Sequence, residues 1–289
     1  MTSPIWDSDP WPTLPPLSGE RRADVCVVGL GGSGLAAVHE LLRLGRSVIG
    51  IDAGTVGGGA AGRNGGFLLG GAAGFYHQLL EDIGRARARA LYRLTLHEIE
   101  RMRAETPQQV RLTGSLRIGH DARELADCAD QYAAMHDDEL PVERYLGPEG
   151  RGLLFPADGA FQPLARCRTL ATRAIAGGAQ LFEQTAALAI AGDRVETDGG
   201  VARCERVIVA VDGKLEVLIP ELAQRVRTSR LQMLATAPEP RVAFPRPVYY
   251  RYGYEYWQQL PTGEIALGGF RDAGGDAEWT TDTEPTEAI

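Results

Sequence analysis

With 289 residues, 44% of them hydrophobic and 24% charged, the chain has the composition of a folded protein with room for one large domain or two smaller ones. A net charge of −8 and a pI near 5.3 argue against nucleic acid as the main partner, because phosphate binding needs a basic surface. No stretch approaches the roughly 18 apolar residues of a membrane helix, and the cysteines at 26, 128, 167 and 204 form no CxxC pair, so neither a membrane span nor a metal site is expected.

The N-terminal arm, residues 1–19, carries five prolines and lacks the basic start and apolar run of a signal peptide. It reads as an extended segment with Trp6 and Trp11 as anchors. Together with cysteines used as core thiols, it fits a reducing cytoplasm.

Asp24-Val-Cys-Val-Val28 is β-branched and reads as a buried strand. Gly29-Leu-Gly31-Gly32-Ser33-Gly34 follows. Leu35, Val38, Leu41 and Leu42 then share one helical face, with Gly45 as the helix C-cap. Residues 47–51 form a second strand, which Asp52 ends. Strand, GxGxxG, helix, strand and acid in one unit is the pattern of a dinucleotide site. Gly29 serves the tight turn, Gly31 the approach of a pyrophosphate and Gly34 the close packing of helix on sheet. The helix N-terminus offers N–H groups to phosphate, and Asp52 offers oxygens to a ribose. This motif alone leaves NAD and FAD open.

Eight of the seventeen residues in TVGGGAAGRNGGFLLGG, 55–71, are glycine. A flexible linker would have this composition. Placed directly after Asp52, though, a loop of small residues with Arg63 and Asn64 can run along a flat ring system and a second phosphate, which suits FAD.

Further on, Ile83 to Ala104 reads as a helix with solvated arginines, 114–119 as a strand, and 121–135 and 164–175 as helices. Residues 193–200 read as a hairpin turn and 206–211 as a buried strand. In Val248-Tyr-Tyr-Arg-Tyr-Gly-Tyr-Glu-Tyr-Trp257, Tyr250, Tyr252, Tyr254 and Tyr256 recur at period two, as on one face of a strand. That face is either ordinary β packing or an aromatic wall for an amine. Arg251 then falls on the opposite face. Arg271 is a candidate for a substrate carboxylate. The five histidines show no ligand spacing, and His77 is the one nearest the glycine-rich loop. Residues 264–289 carry seven acids against one base and read as a solvated segment.

Taken together, ADVCVVGLGGSGLAA, GGAAGRNGGF, TGSLRIG, GGAQLFEQTAALAI, RVIVAVDGKLEVLIPEL, RLQMLATAP and YEYWQQLPTGEIALGGFRD resemble the FAD-dependent amine and amino-acid oxidoreductases, the group of D-amino-acid oxidase, glycine oxidase and sarcosine oxidase. GxxGRNGGF points within that group to the gamma-glutamylputrescine oxidase-like branch. The resemblance implies an α/β fold: a doubly wound, Rossmann-like FAD domain of the glutathione-reductase type, and a substrate domain of α+β character on an antiparallel sheet. The expected bounds are 20–108 with 157–219 for FAD and 109–156 with 220–277 for substrate.

The cofactor residues it implies are Gly29, Gly31, Gly32, Ser33, Gly34, Asp52 and Ala53, then Gly62, Arg63, Asn64, Gly65 and Gly66 beside the flavin. Thr185, Ala186 and Ala187, after Glu183, match the segment whose backbone meets the adenine, and Val211 the strand end leaving the domain. Tyr252, Tyr254 and Arg271 are the catalytic candidates. The implied activity is oxidation of a C–N bond in an amine or amino acid. Relatives of this group carry a further C-terminal segment, and Thr283-Glu284-Pro285 reads as the start of an interrupted helix, so a C-terminally truncated, non-catalytic piece is the alternative expectation. An NAD-linked dehydrogenase is the other.

Overall fold

A computed structural model describes residues 3–8, 10–287 and 289. They form two compact units. The first comprises the described residues up to Asn64, Pro163–Arg230 and Asp276–Glu284; the second comprises Gly65–Gln162, Leu231–Gly275 and the described residues from Pro285. The chain thus enters each unit more than once. The sequence drew its lines at 108/109, 156/157 and 219/220, whereas the units part at 64/65, 162/163 and 230/231. Most of the difference is 65–108, where Tyr76, Ala88 and Tyr92 share a core with Leu153 and Phe155 of the second unit.

The first unit is built on a parallel sheet ordered Gln180–Phe182, Val48–Ile51, Val25–Val28, Arg206–Val209. Its two faces explain the uninterrupted apolar strands. Val25 and Val27 pack with Leu35, Val38, Leu170 and Ala174 of the helices Gly32–Arg43 and Pro163–Ala176. Cys26, Val28, Ile49 and Ile51 pack with Leu17, Val195 and Ala202, which belong to a second sheet and the arm that leads into it. That sheet is ordered Gly19–Arg22, Gly200–Arg203, Arg194–Thr197, Ala187–Ala191. A sheet covered on both sides buries both sets of alternating side chains, so no polar alternation survives.

The second unit contains a seven-stranded sheet ordered Met233–Ala235, Ile265–Gly269, Glu255–Gln259, Val248–Tyr250, Ser115–Ile118, Gly150–Phe155, Glu143–Gly147. All its pairings are antiparallel except that of Val248–Tyr250 with Ser115–Ile118. The helix expected from Ile83 to Ala104 is Arg85–Glu105, and a separate helix, Tyr76–Ile83, precedes it across Gly84 with φ 81°. The helix Ala122–Asp137 starts on the Asp121 side chain, which accepts from the Glu124 N–H at 2.8 Å.

Two expectations fail locally. Period two across 249–256 does not make one strand: Val248–Tyr250 and Glu255–Gln259 are the arms of a hairpin, pairing Tyr249 with Tyr256. Arg251 and Tyr252 adopt φ 48° and 56° in the turn, and the Tyr252 N–H donates to the buried Glu124 carboxylate at 2.6 Å. Nor does a helix start at Thr283 among the described residues. The Glu284 carbonyl accepts from Arg230 Nη1 at 2.8 Å, and Thr286 exchanges two hydrogen bonds with the Gln232 amide, at 2.9 and 2.8 Å. These contacts use the backbone groups that a helix would need.

Candidate functional site

In the first unit, the glycine-rich turn, Asp52 and the start of 183–187 meet at the C-terminal ends of the parallel strands, the position at which open α/β sheets hold ligands. Gly29 has φ +101°, and a Cβ there would lie 2.6 Å from the Ala210 carbonyl oxygen. A Cβ on Gly34 would lie 1.8 Å from the Gly29 oxygen. Both glycines are therefore required by close backbone packing. Gly32 is different, since a Cβ there meets nothing within 4 Å. Gly32 and Ser33 are exposed, and the helix they open has no side-chain cap. The first-turn N–H groups of an uncapped helix thus face open space, which is the cradle a pyrophosphate needs.

Asp52 stands beside that turn. Its Oδ2 accepts from the Leu30 N–H and its Oδ1 from the Gly54 N–H, both at 2.8 Å. Each oxygen keeps a second lone pair for a ribose hydroxyl. Burial pushes the carboxyl upward, against the pull of the two N–H donors, and the neighbouring Glu183 adds to the rise. Ala53 is exposed next to it, and Val211 lies within 3.3 Å of the space a Gly29 Cβ would take. Thr185 is tied in by its N–H, which donates to the Asp52 carbonyl at 2.8 Å, and Gln184 donates to Gly54 at 2.8 Å. Those two N–H groups are spent within the protein. Ala186 is half-buried, and Ala187 pairs with Thr197 in the second sheet. The residues present fit the ribose and pyrophosphate of a dinucleotide.

Glu183 has a role that sequence reasoning did not assign. It is fully buried, with Oε1 accepting from Trp11 Nε1 at 2.8 Å and from the Val56 N–H at 2.6 Å, and Oε2 from the Leu14 N–H at 2.8 Å. The carboxylate clamps the arm, and Trp11 is an anchor as expected. Trp6 is another: it is buried and donates to the Asn64 carbonyl at 2.8 Å.

The run 55–71 is not a linker. The segment 57–64 folds as a turn around the short 3-10 helix Ala60–Gly62, with Arg63 Nε donating to the Gly58 carbonyl at 2.9 Å and Asn64 Nδ2 to that of Ala61 at 2.8 Å. A Cβ on Gly62 would lie 2.2 Å from the Gly57 oxygen. Gly65 and Gly66 belong to the second unit, where the buried Gln258 amide donates to both of their carbonyls, that of Gly66 at 3.0 Å. Gln258 carried no signal in the sequence beyond its place in a strand.

The second unit also encloses a cavity of about 260 Å³ whose lining includes Gly70, Gly71, Ser115, Arg117, Gln131 and Asp158. Asp158 is buried; its Oδ2 accepts from the Ser115 hydroxyl at 2.6 Å and its Oδ1 from the Gly70 N–H at 2.8 Å. Burial pushes its carboxyl up to about 6 despite those donors and the Arg117 charge. Arg117 Nη1 donates to Gln131 Oε1 at 2.9 Å and Nη2 to the Ala73 carbonyl at 3.3 Å, while its guanidinium lies 4.4 Å from the centre of the Phe75 ring. Burial lowers its basicity. Neither Arg117 nor Asp158 was singled out in the sequence. The available signal was the alternation of Ser115 and Arg117 with the core residues Leu116 and Ile118.

The catalytic candidates lie at and beside the hairpin turn, where the Phe270 N–H, next to Arg271, donates to the Tyr254 carbonyl at 2.7 Å. Tyr252 and Tyr254 sit in the hairpin turn, 42% and 40% exposed, and the Tyr252 hydroxyl donates to Asp127 at 2.9 Å. Tyr249 and Tyr256 instead stack at 5.9 Å and both meet Phe67 at 5.7 Å. Arg251 is structural, binding Asp272 at 2.7 and 3.1 Å and Glu255 at 2.5 Å. Arg271 is half-buried at the start of a four-residue helix. His77 Nε2 lies 3.6 Å from Asp127, and its buried Nδ1 has no partner. Among the described residues there is no cluster that could hold a metal ion, and no helix is long and apolar enough to cross a membrane.

Two curated relatives named "Probable oxidoreductase OrdL" are each 28% identical to the chain. For that of Rhizobium meliloti (strain 1021), the match covers 89% of this chain and 66% of the relative; for that of Haemophilus influenzae (strain ATCC 51907 / DSM 11121 / KW20 / Rd), 71% and 52%. The chain thus spans between half and two thirds of their length. The fold resembles that of L-proline dehydrogenase from P. horikoshii, with a TM-score of 0.72, 20% identity, and coverage of 95% of this chain and 74% of that one. The family described as FAD dependent oxidoreductase (DAO) matches residues 24–289. The chain belongs to this family of FAD-dependent oxidoreductases.

Proposed function

We propose that the chain binds FAD through its first unit and serves in oxidising the C–N bond of an amine or amino acid. The observation that carries the reading is the uncapped helix start at Gly32–Ser33 beside the two oxygens of Asp52, within a chain of this family. Asp52 would take the ribose hydroxyls, Gly31 to Gly34 the pyrophosphate, and Gly62 to Gly66 the neighbourhood of the ring system. The second unit would supply the substrate side. The amino-acid class of substrate is supported by the name of the structural relative that acts on L-proline.

Bound flavin supplies a two-electron acceptor for a hydride from the carbon beside nitrogen, and the imine product hydrolyses in water to a carbonyl. What the chain's own residues supply is position. Asp52 and the helix start hold the nucleotide end, and the Glu183 clamp closes the arm over the same strand ends. A cytoplasmic location belongs to the same proposal, on the strength of four buried, free thiols.

The test is flavin absorbance per protein, followed by anaerobic bleaching with a panel of amines and amino acids. Asp52→Ala should weaken FAD by about 1.5–3 kcal/mol, the range for losing a charged hydrogen-bond partner. Unchanged FAD affinity in that variant would sink the assignment of Asp52, and failure of every amine to bleach the flavin would sink the substrate class.

A further inference from the structure

The N-terminal arm is attached to the first unit in two different ways. Its root is fixed in the core. Leu17 packs with Cys26, Val28 and Ile49, its N–H donates to Thr185 Oγ1 at 2.9 Å, and Gly19–Arg22 pairs with Gly200–Arg203. Trp11 and Leu14, just ahead of the root, are held by the buried Glu183 carboxylate. The tip is tied separately. Trp6, 4% exposed, donates to the Asn64 carbonyl at 2.8 Å, and Asp7 pairs with Arg168 at 2.7 Å. Prolines at 10, 12, 15 and 16 stiffen the stretch between tip and root, so that little backbone entropy is lost when the tip docks.

These attachments bracket one loop. Glu183 Oε1 takes the Val56 N–H along with that of the Trp11 indole, and Trp6 takes the carbonyl of Asn64. Between them lies Gly57-Gly-Gly-Ala-Ala-Gly62, in which no side chain exceeds a methyl group. Such a segment cannot anchor itself by side chains, and its glycines raise the entropy lost on ordering. Gly59, Ala60 and Asn64 are exposed. The loop rests on the helix Pro163–Ala176, where a Cβ on Gly57 would lie 2.8 Å from that of Cys167, and one on Gly62 2.9 Å from Leu164. Arg168, the partner of Asp7, belongs to the same helix. The loop also abuts the nucleotide turn, since a Cβ on Gly31 would meet the Ala61 methyl at 3.1 Å.

We propose that the tip of the arm, around Trp6 and Asp7, is a latch that sets cofactor affinity through this loop. With the latch closed, both ends of 56–64 are held and the loop stays against the nucleotide turn. With it open, Glu183 still holds the Val56 end, the Asn64 end loosens, and FAD is held less tightly. The inference rests on the FAD reading and adds its regulation. By linkage the coupling runs both ways, so bound FAD tightens the latch.

Trp6→Phe tests it, because the variant keeps a ring in the buried site and removes the N–H that reaches Asn64. Without FAD, hydrogen exchange of the amides of 57–63 should quicken, while the Val56 amide on Glu183 stays protected. FAD affinity, titrated by flavin fluorescence, should fall about fivefold or more, the low end of ordinary coupling between sites. AMP carries a ribose for Asp52 but no flavin half. Its affinity, read from amide chemical shifts, should stay within about twofold, below that range of coupling. In the wild type, FAD should slow exchange of the Trp6 indole N–H. This last measurement needs no variant and holds even if Trp6→Phe does not fold.

Equal FAD affinity in wild type and Trp6→Phe would overturn the latch and leave the flavin reading standing. So would equal losses of FAD and AMP affinity, or an indole N–H whose exchange ignores bound FAD. A wild-type chain that takes up no FAD would overturn both.

Discussion

The two units each bury a charged side chain, and they satisfy it to different degrees. Glu183 in the first unit accepts three hydrogen bonds from Trp11, Leu14 and Val56. Arg117 in the second donates two, of which one is long at 3.3 Å, and lines open space. Both make do with neutral partners, so the absence of an opposite charge does not by itself mark a binding site. What separates them is capacity. A carboxylate with three donors is close to saturated, while a guanidinium with two acceptors has more than half its donors unused. The first arrangement locks a segment in place; the second leaves a directional vacancy in the hydrogen-bond inventory.

The largest expected effect breaks the saturated case. Glu183→Ala strands the Trp11 indole N–H and the Leu14 and Val56 N–H groups, which should cost about 3–5 kcal/mol in urea unfolding, given 1–3 kcal/mol for each buried orphan and partial rescue by water. The tryptophan emission should move to the red as the arm detaches. A loss below about 1 kcal/mol would mean that the clamp is replaceable, and that saturation is no guide to structural weight.

Next in size is the pH dependence of the second unit. The Asp158 carboxyl titrates near 6 in the folded chain against an ordinary 3.8. The folded state therefore holds a proton that the unfolded state has released between about pH 4 and pH 6, and stability from this group falls as pH rises through that window. A shift of about two units corresponds to roughly 3 kcal/mol. Asp158→Asn can keep both neighbours, with Nδ2 donating to the Ser115 oxygen and Oδ1 accepting from Gly70. Urea midpoints for it should lack the decline between pH 4 and pH 6 that the wild type shows. In Arg117→Gln the window should extend upward, because the guanidinium now pulls the Asp158 carboxyl down. Parallel curves for wild type and Asp158→Asn would separate this carboxyl from its burial.

The same contrast explains what could be read from the chain alone. The nucleotide turn was legible because its parts are close in sequence: a buried strand, glycines fixed by backbone contact at Gly29 and Gly34, an apolar helical face, a second strand and Asp52. The arm was legible as far as its tryptophans, but not the partner of Trp11, Glu183, which lies 172 residues away. Arg117 was hidden for a like reason. Ser115 and Arg117 alternate with buried Leu116 and Ile118, which describes a strand with one wet face, and only the helix that brings Gln131 over that face makes it a cavity wall. The tyrosine stretch failed differently. Period two is shared by one long strand and by two short ones folded back, and the deciding residue was Gly253, at φ +82° in the turn.

A smaller effect is expected at Gln258, whose side chain is almost fully buried and donates to the Gly65 and Gly66 carbonyls. Leucine would fill the space and leave both carbonyls without that donor. The loss should be about 1–3 kcal/mol in thermal or urea unfolding, with faster protease cutting near Gly65. Unchanged cutting would show that the glycines hold their conformation without the amide.

The smallest effect belongs to the turn tyrosines. The Tyr252 ring is 42% exposed, and its hydroxyl reaches Asp127 at the surface at 2.9 Å. Tyr254 is 40% exposed with Arg251 5.3 Å from its ring centre. Surface contacts of this kind contribute about 0.5 kcal/mol or less, so Tyr252→Phe and Tyr254→Phe should scarcely move the melting temperature. Turnover is the sharper measurement. Side chains that serve only the hairpin should leave kcat/KM and flavin content as they are. A fall in kcat/KM at constant flavin content and constant melting temperature would return the two tyrosines to the substrate side. The hairpin would then keep polar capacity for a ligand rather than for the fold.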